Sequence, residues 1–308
     1  MKKFWFVFIS VACIMSLAAC KKKDEAGKSA TAVKESANQA ATSLEKELGE
    51  KSKMHIAVNV ASVKSSPLYA MIKGNVEEKI GNSECAKKVL DTMESAIILG
   101  SPEGFSKKVN DETKTDKNDE NIYIVLKGTD AKATLTCMKE SQKDIKDAKL
   151  NGVDVLSFEK DGQTGYLWEG SNKTVVLAAG AWAQKITPGK GVAGKGEISS
   201  MAGSKSIVFS ASDMDDIKET TGTVDLAKGL MADVSVTMKE EAKAKRLEED
   251  FQNGKKQADQ IPIPGLSDIV KSIKITRNGA TISVQVTVSS NQLKQLLDMA
   301  KGMGGLPM

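Results

Sequence analysis

From residue 54 onward the chain alternates apolar and polar positions in short blocks set off by turn residues, the pattern of strands with one face in a core. Ile56, Val58 and Val60 alternate with Ala57, Asn59 and Ala61 and predict a first strand. Ser66-Pro67 then opens a helix with Leu68, Met71 and Ile72 as its apolar stripe; proline is tolerated in a first turn, where its missing N–H has no helical partner. A second helix over 84–94 turns Ala86, Val89, Leu90 and Met93 inward. Residues 96–99 and 122–126 are predicted strands, separated by a polar, acidic loop over 111–121. Asp130 caps a helix carrying Ala133, Leu135, Cys137 and Met138. Residues 153–158 and 165–168 flank Asp161-Gly162, a hairpin turn, and 175–179 follow a Gly-Ser-Asn turn. Residues 188–205 are rich in Gly and Ser and predict a long surface connection.

The pattern restarts near Ser206. Ile207, Phe209 and Ala211 alternate, as do Leu230, Ala232, Val234, Val236 and Met238. A long helix over 239–260 puts Ala244, Leu247, Phe251 and Ala258 on one face, and Ile261-Pro262-Ile263-Pro264 ends it, because proline cannot continue a helix. Ile273 and Ile275 pair across Arg277-Asn278-Gly279 with Ile282, Val284, Val286 and Val288; Asn-Gly between alternating runs is the strongest local turn pattern in the chain. A closing helix carries Leu293, Leu296, Leu297 and Met299. Both stretches read as strand, strand, helix, hairpin. The expected fold is therefore α+β, in two similar halves over 54–205 and 206–308, each an antiparallel sheet with helices packed on one face.

Residues 20–53 are different: Lys, Glu, Ala, Ser and Thr, with no aromatic residue and no Pro. Val33, Ala37, Ala40, Leu44 and Leu48 form one narrow stripe, which predicts a partly helical tether of marginal stability in water. Ahead of it, Met1-Lys2-Lys3 is followed by an apolar run from Phe4 to Leu17, broken at Ser10 and Ser16. A bilayer-spanning helix needs about 20 apolar residues, so this run reads as an export signal over 1–19. Its end, Leu17-Ala18-Ala19-Cys20, resembles the lipobox of bacterial lipoproteins. The resemblance covers residues 1–20 and implies cleavage before Cys20, a diacylglyceryl group on its sulfur and acylation of the new amino terminus. Two or three acyl chains anchor stably, since each buried CH₂ adds about 0.8 kcal/mol. In that family Asp after the lipidated Cys favours the inner membrane; here the position is Lys21, which favours the outer. Lys21, Lys22 and Lys23 sit where they can touch anionic headgroups, at about 1 kcal/mol each. The body resembles uncharacterised envelope lipoproteins in general pattern.

Composition narrows the function. The chain has 44 basic residues; losing Lys2 and Lys3 with the signal leaves 42 against 40 acidic, too balanced for a nucleic-acid binder. Of four cysteines, Cys13 leaves with the signal and Cys20 takes lipid, so Cys85 and Cys137 remain; an even pair in an exported protein predicts a disulfide, with two buried thiols as the alternative. Its stabilisation would be roughly 4 kcal/mol on the chain-entropy model.

The candidate chemistry is thin. Gly189-Lys190-Gly191-Val192-Ala193-Gly194-Lys195-Gly196 has phosphate-loop spacing, but Gly196 stands where magnesium needs Ser or Thr. Ser43-Leu44-Glu45-Lys46 and Ser157-Phe158-Glu159-Lys160 match Ser-x-x-Lys by chance, without the partner motifs. Asp213, Asp215 and Asp216, and Asp116, Asp119 and Glu120, are acidic clusters lacking the spacing of a calcium loop. His55 is the sole histidine, which leaves no usual zinc set. Tyr69, Tyr123, Tyr166 and Trp168 fall at core positions, and Trp182 is expected to be exposed just past a strand end. The sequence thus predicts no catalytic residues, metal or cofactor, and a non-catalytic envelope lipoprotein that binds or scaffolds, with the membrane and an envelope protein as partners. The alternatives are a carrier of an apolar ligand or lipid, suited by thirteen Met, and, behind it, a hydrolase using Asp213 or Asp215.

Overall fold

A computed structural model describes residues 43–80, 84–101, 121–160, 162–198, 202–259 and 266–302. The alternating blocks form strands β1 (Met54–Asn59), β2 (Ser95–Gly100), β3 (Ile122–Lys127), β4 (Lys146–Leu150), β5 (Val153–Lys160), β6 (Gln163–Glu169) and β7 (Thr174–Ala179), then β8 (Ile207–Met214), β9 (Ile217–Asp225), β10 (Gly229–Met238), β11 (Lys274–Asn278) and β12 (Thr281–Ser289). All pair antiparallel in one sheet of order β11-β12-β10-β9-β8-β1-β2-β3-β7-β6-β5-β4. The α+β class is as expected, but the strands of the two stretches are continuous: β1 pairs with β8, Ala57 opposite Val208.

The helices are α1 (described over 43–48), α2 (Val60–Lys64), α3 (Pro67–Ile80), α4 (Glu84–Thr92), α5 (Ala131–Ser141), α6 (Ala181–Lys185), α7 (Gly191–Lys195), α8 (Glu241–Asp259), α9 (Leu266–Ser272) and α10 (Ser290–Gly302). Their starts follow local rules. Ser66 Oγ accepts from Tyr69 N at 3.1 Å and Asp130 Oδ1 from Ala133 N at 3.0 Å, each satisfying a first-turn amide. Val60, expected in the first strand, instead opens α2, because the Asn59 side chain accepts from Ser62 N and caps it.

Six elements were not expected: β4, β9, α2, α6, α7 and α9. Residues 43–53 belong to the body rather than hanging free, with Leu44 and Leu48 fully buried. Nor do the described residues of 188–205 form a surface connection, since α7 lies among them and Ala193, Ile198 and Ala202 are buried.

Side-chain alternation gives the sheet two faces and two core clusters. On one face Ile97, Leu99, Tyr123, Val125, Trp168, Val176 and Val208 pack under α1, α6 and α7. On the other, Ala96, Leu126, Val175, Val224, Ala232, Val284 and Val286 pack under α2, α3, α5, α8 and α10. Helices on one face therefore describes β9–β12; the strands β1–β3, β6 and β7 are covered on both faces. Twice a cross-strand glycine receives a phenyl ring: Phe158 opposite Gly165 and Phe209 opposite Gly222, where a Cβ would overlap the ring.

Candidate functional site

The predicted site residues separate cleanly. Cys85 and Cys137 are joined, Cα–Cα 5.5 Å, bonding α4 to α5. A crevice beside them, lined by Val89, Thr92, Ala133 and Thr134, has room for about 10 Å³, a single water. Cys20, Asp116, Asp119 and Glu120 lie outside the described residues.

Asp213 and Asp215 stand exposed at the β8–β9 turn with left-handed backbones, φ 53° and 36°. Asp216 serves the start of α8: its Oδ1 accepts from Lys243 Nζ at 2.5 Å and its carbonyl from Lys239 N. Among the described residues no group of three or more His, Cys, Asp or Glu could hold a metal ion. Ser43 and Lys46 sit on α1 and Ser157 on β5, so neither Ser-x-x-Lys run meets a partner motif.

The glycine-rich run is a packing device. Glu47 Oε2 accepts from Val192 N at 2.7 Å and Ala193 N at 3.1 Å, so a carboxylate of the chain itself occupies the amide end of α7. Ala193 O accepts from the buried Tyr123 hydroxyl at 2.7 Å, and Gly194 O from Trp168 Nε1 at 2.7 Å. Burial pushes the Tyr123 hydroxyl far above its ordinary pKa, with Glu47 adding to the effect. Lys127 donates to Ile198 O and is held below the ordinary lysine range by burial.

Trp182, expected to be exposed, is fully buried. Its Nε1 donates to Glu50 Oε2 at 2.9 Å, and Lys185 Nζ reaches Glu50 Oε1 at 2.5 Å and Leu48 O at 3.1 Å. Those two donors hold the Glu50 carboxyl below the ordinary range. Glu45 Oε1 accepts from Ser52 N at 2.8 Å and lies 3.3 Å from His55 Nε2. His55 is buried, and its Nδ1 finds no partner among the described residues. Burial lowers its pKa, against the pull of Glu45. Three carboxylates within six residues thus pin the 43–51 segment to three elements.

The second notable surface is the polar side of β8–β12, on the same face of the sheet as α1. Odd-numbered residues of β10 and β12 point there: Asp233, Ser235 and Thr237, beside Thr281, Ser283 and Gln285. Gln285 Nε2 donates to Asp233 Oδ2 at 3.2 Å, and Thr237 bonds Thr281 through their hydroxyls at 3.0 Å. Burial raises the Asp233 carboxyl above its ordinary range, against Gln285 and Lys205. Lys205 pairs with Asp225 at 3.4 Å. Most apolar side chains of β9–β12 are on the opposite face, where α8 and α10 lie. Sequence reasoning missed β9, whose Thr221 and Thr223 lie beside Ser235 and Asp233 on this side and are buried.

No family model matches the chain, and no curated protein matches it. A solved structure, crystal form I of TP0453, is similar at 10% identity over 82% of this chain and 96% of that one, with a TM-score of 0.41.

Proposed function

We propose that the chain is an exported lipoprotein, held on a membrane by acyl chains on Cys20, with a non-catalytic binding or scaffolding role in the cell envelope. The observation that carries this reading is Leu17-Ala18-Ala19-Cys20 at the end of a short apolar run behind Lys2-Lys3. A bonded Cys85–Cys137 pair supports export, since disulfides persist in oxidising compartments. Lys21 directs the anchor to the outer membrane. For the body, the polar side of β8–β12 is the surface we assign to a partner in the envelope: hydroxyls, Gln285 and Asp233 offer hydrogen bonds rather than an apolar cleft. The pairing order β2-β3-β7-β6 around α5 and β9-β10-β12-β11 around α8 supports descent of the two halves from one duplicated unit.

The test is metabolic labelling of bacteria expressing the chain with an alkyne fatty acid. The native chain is expected to carry label and to pellet with membranes, whereas Cys20→Ala loses both. An unlabelled native chain found only in the soluble fraction would refute the reading.

A further inference from the structure

Residues 43–51 are attached to the body by side chains. Leu44 and Leu48, one helical turn apart, are fully buried in the core cluster that holds Trp182. Around them Glu50 reaches α6, Glu47 reaches α7 and Glu45 reaches β1. No backbone–backbone hydrogen bond joins 43–51 to the rest of the described residues; Gly49 N donates within the segment, to Glu45 O. Two residues later the attachment changes in kind. Lys53 N donates to Gly100 O at 2.9 Å and Lys53 O accepts from Ser212 N at 2.8 Å, stitching the chain between β2 and β8. A boundary between side-chain attachment and ladder attachment therefore falls at 51–52.

We propose that residues 43–51 are a detachable strap, latched over Trp182 by Glu45, Glu47 and Glu50 and freed in acid. The groups facing the latch come from every element packed against it: Lys185 and the Trp182 indole on α6, the amides of α7, the Tyr123 hydroxyl on β3, and His55 on β1 beside the Ser52 amide. A protonated Glu50 loses its ion pair with Lys185. Glu50 lies below its ordinary range while docked, held there by Lys185 and the Trp182 indole, so acid favours the undocked strap through it. Release would add nine residues to the linker, about 30 Å at roughly 3.4 Å per extended residue. The gain in reach rests on the tether reading; the latch does not.

Hydrogen exchange by mass spectrometry on the full chain tests the latch at pH 7.5 and 4.0, corrected for the intrinsic rate. Peptides covering 43–51 are expected to be protected at pH 7.5. At pH 4.0 they exchange at least tenfold faster while β2 and β3 keep their protection. In Glu47→Gln with Glu50→Gln the strap opens already at pH 7.5, and β2 and β3 in the same sample report that the body is folded. Strap and strands exchanging together at both pH values, or a native strap unprotected at pH 7.5, would overturn the proposal. A latch that works on a chain without lipid would refute only the tether.

Discussion

Breaking the Cys85–Cys137 bond should cost about 4 kcal/mol, and the figure can be worked from the chain. The bridge spans a sequence separation of 52 and ties α4 to α5 across β2 and β3, which lie in the enclosed stretch. On the chain-entropy model a loop of that length removes roughly 14 cal/mol/K from the unfolded ensemble, about 4 kcal/mol at 25 °C. The perturbation is Cys85→Ala with Cys137→Ala, which also removes two small apolar contacts at one crevice of about 10 Å³, so little packing is lost with the bond. Urea unfolding of both chains gives the difference. The variant should show a lower midpoint and a steeper dependence on denaturant, because its unfolded chain exposes more surface. Reductant should lower the native midpoint in the same way and leave the variant unmoved. A midpoint that changes by less than the equivalent of about 1 kcal/mol, or two thiols titrated in the purified native chain, would refute the argument.

Gly222→Ala should destabilise by about 1–3 kcal/mol, since its Cβ meets the Phe209 ring; in a double-mutant cycle Phe209→Ala should remove most of that cost, and additive effects would dismiss the pairing. Between pH 7.5 and 5.5 native stability should fall as pH falls, because the unfolded His55 takes up a proton the buried one resists. One proton bounds that slope at about 1.4 kcal/mol per pH unit; in His55→Leu it should flatten, and an unchanged slope would assign it elsewhere. Val286→Asp and Thr287→Asp test the two faces of β12: the first puts a charge where Val286 is 2% exposed and should unfold the chain, while Thr287 is exposed and should tolerate Asp within about 0.5 kcal/mol. Equal effects in circular dichroism melts would contradict the register.

What the sequence made legible is what local chemistry decides. The Asn278-Gly279 turn, with Gly279 at φ 56°, joins β11 to β12 as the dipeptide predicts, and Ile282, Val284, Val286 and Val288 all face the core. Asp130 and Ser66-Pro67 mark real helix starts. Cys85 and Cys137 are bonded, as expected. The missed strands share a reason. β4 reads Lys-Asp-Ala-Lys-Leu because it is the edge of the sheet, where charge blocks further pairing. β9 keeps Thr and Glu on its polar side and on the other has Gly222, whose apolar share is supplied by Phe209 from the next strand, so its alternation is invisible from its own residues.

The strap and Trp182 were illegible for a different reason. Glu50 and Trp182 are 132 positions apart, and Glu47 and Val192 are 145 apart, so no window of sequence contains both halves of either contact. A stripe of Leu44 and Leu48 beside small alanines looks marginal because a lone helix would bury little; docked on a sheet face, both leucines are lost from water entirely. The same reasoning runs the other way for Phe251, placed inward with Ala244 and Leu247 by spacing yet 42% exposed, since nothing described covers it. Helical spacing fixes which residues share a stripe, while the reach of the neighbouring sheet fixes how much of the stripe is buried. That is why the segment that leads toward Cys20 could be read for composition but not for attachment. It is also why the strap and the polar side of β8–β12, two surfaces distant in sequence, come to lie on one face of a single sheet.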